Sequence, residues 1–264
     1  MKVYISCDME GATGVVSWDQ THKGQAEFEV CRRLLLGDVN AAIEGALEAG
    51  AEEIIVADMH DGSLILPTQE LHPAAKYIVG IPHHAPRLPY LDESFHAVFL
   101  IAYHAMAGTH PALLCHTMTG EWVEYAVNGT PVGEVEIDAA LAGAVGVPVV
   151  LVTGDQAVCA EARRFLGDIE TVEVKQAVDP QRGLCLPKEK TWPMIRQAAK
   201  RALQRVAEIK PFTFGSPVEI SIRYRNADQV PKGDGVNSYN PDSWTVVYRY
   251  ERFEEHYGGV WRSG

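Results

Sequence analysis

Val3-Tyr4-Ile5-Ser6-Cys7-Asp8-Met9-Glu10-Gly11 is the stretch whose reading decides the fold. It is a short apolar, β-branched run that breaks into two carboxylates and then a glycine-rich loop, Gly11-Ala12-Thr13-Gly14. Beyond that loop, from about residue 24 to 49, apolar side chains recur at helical spacing, with Leu34, Leu35, Val39, Ala42, Ile43, Ala46 and Leu47 forming the buried stripe. Gly50 stops the helix, and Glu53-Ile54-Ile55-Val56-Ala57 reads as a second buried strand. Strand, helix and strand in that order make one β-α-β unit.

The pattern continues outward. Residues 76–79 and 97–103 read as strands, the second almost wholly apolar, as a parallel strand covered on both faces should be. An extended segment from 122 to 132 carries Asn128-Gly129, a strong hairpin signal. Residues 136–145 read as helix, 148–153 as strand, 156–166 as helix and 188–209 as a long amphipathic helix. After Pro211 come strand-like pieces at 218–223 and 245–250, separated by a Pro/Gly/Asn/Asp loop. The expectation is an α/β fold: a mostly parallel wound sheet with helices on both faces, plus a smaller C-terminal α+β domain. The division expected is residues 1–170 for the α/β part and 171–264 for a smaller domain that serves packing and oligomer contacts.

In 264 residues, Asp and Glu outnumber Lys and Arg by 35 to 23, and the basic residues do not cluster. Such a surface repels phosphate backbones and anionic lipid headgroups, so neither a nucleic-acid nor a membrane partner is expected. No apolar run approaches the roughly 18–20 residues that span a bilayer. The chain enters its first strand without a leader-like segment, which suggests a cytoplasmic protein. Its five cysteines are scattered and form no C-x-x-C pair, which argues against a disulfide framework or a thiolate zinc knuckle.

Several of the apolar strands end in side chains that metals favour. The first ends in Asp8 and Glu10, the second in Asp58-Met59-His60-Asp61-Gly62, and the strand ending at Tyr103 gives way to His104. In an open α/β sheet, ligands bind beyond the carboxyl ends of the strands, so all of these would reach one rim. Residues two apart on an extended strand share a face, pairing Asp8 with Glu10 and Asp58 with His60 and turning Met9 and Met59 toward packing.

Each residue alone has a plainer reading. An Asp after a strand is most often a cap or turn former, especially Asp58 and Asp61, and a single His usually makes an ordinary hydrogen bond. The convergence is what favours a site. Carboxylates and imidazoles without thiolates suit zinc, manganese, cobalt or iron. Asp8, Glu10 and Glu134 with His60 and His104 exceed what one catalytic zinc uses, so two ions are expected. His116, in Leu113-Leu114-Cys115-His116, is placed to transfer a proton or to stabilise an oxyanion. Cys115 is a rival nucleophile, made inert by its apolar flank unless His116 faces it. His83-His84, among prolines, reads as solvated or structural. The glycine-rich loop lacks nucleotide-binding spacing and follows carboxylates where phosphate would sit. Together these residues point to a metal-dependent hydrolase.

The motifs Ser6-Cys7-Asp8-Met9-Glu10-Gly11, Asp58-Met59-His60, Gly80, Tyr103-His104-Ala105, His116-Thr117-Met118, Asn128-Gly129-Thr130-Pro131-Val132-Gly133-Glu134 and Val174-Lys175-Gln176 together resemble the D-aminopeptidase DppA family, the M55 zinc peptidases. The similarity runs in order from residue 1 to about 210 and weakens over 224–264. It implies that Asp8, Glu10, His60, His104 and Glu134 ligate two zinc ions per subunit with Asp8 bridging, and that His116 is the catalytic histidine. It further implies a homodecameric ring acting on short peptides with an N-terminal D-residue. The expected enzyme is therefore a binuclear metallo-aminopeptidase. The rivals are a metal-dependent amidase or deacetylase for another small substrate, and a non-catalytic oligomeric metal-binding protein.

Overall fold

A computed structural model describes residues 1–62, 64–80 and 86–261; His83-His84 lies outside the described residues. The first half runs β1 (Lys2–Cys7), α1 (Phe28–Glu48), β2 (Glu53–Asp58), β3 (Lys76–Ile78), β4 (Ala97–Tyr103), β5 (Trp122–Val127) and β6 (Thr130–Pro131). Then follow α2 (Glu134–Ala144), β7 (Val149–Asp155), α3 (Gln156–Leu166), β8 (Glu170–Asp179), β9 (Arg182–Cys185) and α4 (Lys188–Gln204). The chain closes with β10 (Val218–Tyr224), β11 (Ser238–Tyr239) and β12 (Thr245–Tyr250).

Seven strands form the large sheet in the order β3-β2-β1-β4-β7-β8-β9. All neighbours are parallel except the β8–β9 hairpin at the edge. Side-chain alternation sends Val3, Ile5 and Cys7 of β1 into one core, where they meet Leu35, Val39 and Ile43 of α1 and Ile195, Ala198 and Ala199 of α4. Tyr4 faces the opposite core with Val135 and Ile137 of α2 and Val158 and Cys159 of α3. Helices thus cover both faces, as the apolar strands require. Gly37 and Gly45 let α1 and α4 approach closely, since a Cβ at either would collide with Trp192 or with the Arg196 backbone.

A second, antiparallel sheet has the order β11-β12-β10-β5-β6. Its β5–β6 hairpin turns on Asn128 (φ 51°) and Gly129 (φ 76°), both in the left-handed region that a two-residue hairpin turn needs. The boundary expected at 170/171 coincides with the first residues of β8, within the large sheet, and the small sheet joins β5 and β6 to strands from beyond residue 217. The connection between β4 and β7 leaves the large sheet, builds the hairpin and returns through α2. Among the described residues no helix is long and apolar enough to cross a membrane.

The chain winds from β1 through β2 to β3 on one side, then returns to β4, β7 and β8 on the other. β1 and β4 therefore flank the point where the winding direction reverses, where helices on opposite faces diverge and leave a crevice.

Candidate metal centre

Asp8 continues β1, its N–H bonded to the Ile101 carbonyl at 3.0 Å, and Gly11 N–H bonds to the Ala102 carbonyl at 2.8 Å. A Cβ on Gly11 would run into the Tyr103 carbonyl, so only glycine lets the loop lie this close to β4. His60 follows β2, with Met59 N–H still bonded to the Cys7 carbonyl at 3.0 Å. His104 follows β4 just after Ala102, which takes φ 63° and gives its N–H to Thr153 Oγ1 at 2.8 Å. Glu134 opens α2 behind Gly133, where a Cβ would strike Glu161 Oε1 and Met106. Leu114 (φ 51°) and Met118 (φ 63°) flank His116 in the left-handed region, and Asp61 (φ 31°) follows His60. Non-glycine residues adopt this region at a cost, and here it recurs beside each of the three imidazoles.

The side chains meet in the crevice. His60 Nδ1 is 3.1 Å from Asp8 Oδ1 and 3.1 Å from Glu10 Oε2. His104 Nε2 is 3.3 Å from Asp8 Oδ2 and 3.3 Å from Glu134 Oε1, and His116 Nε2 is 3.8 Å from Glu134 Oε1. The His104 and His116 rings stack with centroids 3.9 Å apart, and Trp18 meets His116 edge-on at 5.3 Å. Asp8, Glu10, His104 and Glu134 are all buried.

Each imidazole is anchored by its other nitrogen to a backbone carbonyl: His60 Nε2 to Thr21 at 3.1 Å, His104 Nδ1 to Ala105 at 3.1 Å and His116 Nδ1 to Leu114 at 2.9 Å. A carbonyl accepts only, so the proton sits on the anchored nitrogen, and in the neutral ring the lone pair of the other nitrogen faces a carboxylate. Lone pair against carboxylate is repulsive unless a cation lies between them. Two buried atoms of the cluster, Glu10 Oε2 and His104 Nε2, lack any hydrogen-bond partner. The donor set and these orphaned atoms fit a divalent cation, and an outward carbonyl on each imidazole is the usual support of a metal-bound histidine.

Without a cation, protons must do the balancing. Burial alone would lower the His60 pKa, but Glu10 and Asp8 overcome it and push the ring up to about 11. His104 is likewise raised, with Asp8 and Glu134 outweighing its burial. Burial would raise Asp8 and Glu134, but His104 with His60 drives Asp8 far down, and His104 with Arg87 brings Glu134 to about 2. A bound metal ion would displace the imidazolium protons. His116 behaves differently: burial and the adjacent His104 both lower it, so it is a neutral base near pH 7.

Ligand atoms within 4.8 Å of one another form two sets, Asp8-Glu10-His104 and His104-His116-Glu134. Both contain His104, yet a single imidazole nitrogen has one lone pair and cannot serve two ions. Asp8 has two oxygens, one facing His60 and one facing His104.

Asp58, by contrast, accepts from the N–H groups of Ile65 (2.8 Å) and Leu66 (3.1 Å), the turn-forming role its position suggests. Met9 is fully buried. Cys115 is half-buried, its thiol raised by burial and turned to the Thr109 carbonyl.

Sequence reasoning assigned no role to two groups. Arg87 bonds Glu134 Oε2 at 2.8 Å and Asp138 at 2.5 and 3.3 Å, and Tyr103 adds its hydroxyl to Asp138 at 2.5 Å. A charged residue between Pro86 and Pro89 gives no hint of this. Lys175 reaches the loop after β1; the Val174-Lys175-Gln176 motif marked its position but not what it holds.

A carboxylate–imidazole cluster buried in the crevice of a wound α/β sheet defines the class of site used by metallohydrolases. Residues 1–260 match the family described as D-aminopeptidase, peptidase M55, and the chain belongs to that family. The D-aminopeptidase of Bacillus subtilis (strain 168) is 31% identical over 229 residues, covering 87% of this chain and 83% of the relative. A solved structure, the Zn-dependent D-aminopeptidase DppA from Bacillus subtilis, a self-compartmentalizing protease, superposes with a TM-score of 0.91. It is 29% identical, over 97% of this chain and 94% of that one.

Proposed function

We propose that the protein is a zinc-dependent aminopeptidase that cleaves short peptides or amino-acid amides, with an N-terminal D-residue preferred. In this reading Asp8, Glu10, His60, His104 and Glu134 hold two zinc ions, with Asp8 shared between them, and His116 is the catalytic base. One observation carries it: Asp8 lies between two carbonyl-anchored imidazoles, each of which faces a second carboxylate, Glu10 beside His60 and Glu134 beside His104.

Zinc, when bound, supplies a Lewis acid that polarises a carbonyl and acidifies water toward neutral pH. The protein's residues supply the rest. Leu114 fixes the His116 proton on Nδ1, leaving Nε2 free to take a proton during attack and return it to the leaving amine. Stacking on His104 and the edge of Trp18 restrict rotation of that ring. Arg87 and the Met118 N–H each hold one oxygen of Glu134, and so set its orientation. The free α-amine of a substrate would find carboxylates here, which accounts for action at an N-terminus.

The M55 relative is described as self-compartmentalizing, and we infer that this chain also assembles with copies of itself, as a ring of ten. All five cysteines are free, which suits a reducing cytoplasm.

Protein purified without chelator should carry about two zinc ions per chain. Glu134→Ala should lose most of its metal and nearly all activity while keeping its far-UV circular dichroism. An active, metal-free Glu134→Ala protein would end the proposal. A panel of D- and L-aminoacyl amides reads the stereochemical preference, and hydrolysis of acetylated amines but not these amides would favour a deacetylase instead.

A further inference from the structure

Lys175 on β8 is 1% exposed, among the largest fully buried side chains of the protein. Its ammonium makes no ion pair among the described residues, and all three of its N–H donors go to backbone carbonyls of the loop after β1. These are Glu10 at 2.6 Å, Ala12 at 2.8 Å and Val15. Three carbonyl oxygens converging on one point repel one another, and an ammonium has the charge and the three donors to hold them together. The same loop is tied elsewhere by N–H groups, Gly11 to Ala102 and Thr13 to Asp38, and by the Thr13 hydroxyl to Asp38 and Thr191.

Glu10 is the residue that needs this anchor. Asp8 Oδ1 accepts the Met9 N–H, and Glu134 accepts the Met118 N–H and Arg87. Among the described residues no backbone N–H and no side chain other than His60, 3.1 Å from Oε2, is in position to orient the Glu10 carboxylate. The aim of its side chain therefore depends on its backbone, which is held on one side by the Gly11–Ala102 hydrogen bond and on the other by Lys175.

We propose that Lys175 is a positioning residue for the metal centre, a tethered monovalent cation whose ammonium clamps the carbonyls of Glu10, Ala12 and Val15 and thereby fixes the Glu10 carboxylate toward His60. The inference rests on the reading of Glu10 as a metal ligand. Lys175 touches neither substrate nor metal; it acts through the loop.

The test is zinc affinity, measured by competition with a chromophoric chelator, for wild type, Lys175→Met, Glu10→Gln and the double variant. Lys175→Met should weaken zinc binding by about 10- to 100-fold, as loss of a group supporting a metal ligand does, while unfolding stays cooperative. In the Glu10→Gln background the same change should add little, because the ligand it positions is already lost. Ammonium or potassium ions should restore part of the affinity of Lys175→Ala by occupying the vacated carbonyl cage, and sodium or tetramethylammonium, of the wrong size, should restore less. Unchanged zinc affinity in Lys175→Met overturns the proposal, as do fully additive losses in the double variant. Lys175→Gln keeps two donors without charge and replaces Lys175→Met if the latter does not fold. Failure of both to fold makes Lys175 a requirement of the fold and also overturns the proposal. If Glu10→Gln binds zinc as tightly as wild type, the ligand assignment fails, whatever the lysine variants do.

Discussion

Replacing Arg87 with Met removes the guanidinium while keeping most of the volume of the side chain. The Arg87 side chain is 12% exposed, and its partners Glu134 and Asp138 are 9% and 0% exposed. Breaking a buried pair by removing one partner costs about 3–5 kcal/mol. Asp138 keeps the Tyr103 hydroxyl and Glu134 keeps the Met118 N–H, so neither is left bare and the lower end applies. A loss of about 3 kcal/mol should lower the melting temperature of a chain this long by roughly 6–12 °C. Urea unfolding of metal-stripped protein measures it without a contribution from metal linkage. The pH dependence is a second signature. Burial already raises the Asp138 pKa although Arg87 opposes it, and without Arg87 it rises further. A folded-state pKa above the unfolded one gives stability that is full at low pH and is lost as pH rises through the folded pKa. The penalty should therefore shrink as the solution is acidified from neutral pH, as a raised Asp138 takes up its proton. Arg87→Met with Asp138→Asn should recover part of the loss at neutral pH. A loss below about 0.5 kcal/mol, the scale of a surface pair, or a penalty that grows on acidification would refute the reasoning.

The carboxyls of Glu136 and Glu161 form another titrating pair, bonded to the Gly133 N–H (2.7 Å) and the Met106 N–H (2.9 Å). Burial raises both, Glu136 to about 7 and Glu161, with Glu136 beside it, to about 9. Their stabilising effect is full below the unfolded carboxyl pKa of about 4.3 and fades as pH climbs toward those raised values. Glu161→Gln should flatten this decline and be the more stable protein near pH 9 in denaturant titrations; an unchanged slope counts against a shared proton. Cys115→Ser should leave hydrolysis close to the wild-type rate, since the thiol is raised by burial and faces a carbonyl. Loss of activity with zinc retained would reinstate the thiol as nucleophile.

What could be read from the sequence was set by local periodicity. β4, α3 and β12 occupy the expected residues because an unbroken apolar run, an Asp155 cap and alternating β-branched residues each announce themselves locally. α1 begins at Phe28, not near residue 24, since Gly24 takes φ 95° and residues 24–27 turn. α2 starts at Glu134, two residues early, because Gly133 is its cap. The β8–β9 hairpin was not legible: Glu170, Glu173 and Lys175 interrupt its apolar character, and Lys175 is buried by carbonyls from a loop some 160 residues earlier in the chain. Asp8, Glu10, His60 and His104 were legible because they follow strands at the sheet's carboxyl rim, whereas the place of Glu134 at the start of α2 shows only in the fold. Arg87, Trp18 and Thr21 act only through tertiary contact, which no spacing encodes.

The position of β1 has a consequence for biosynthesis. β1 leaves the ribosome before either of its neighbours in the sheet, so both its edges stay bare until β2 and β4 have been made. The crevice it borders gains its last carboxylate only when translation has passed residue 134. Nascent chains shorter than that should be poor scavengers of zinc and good clients for chaperones.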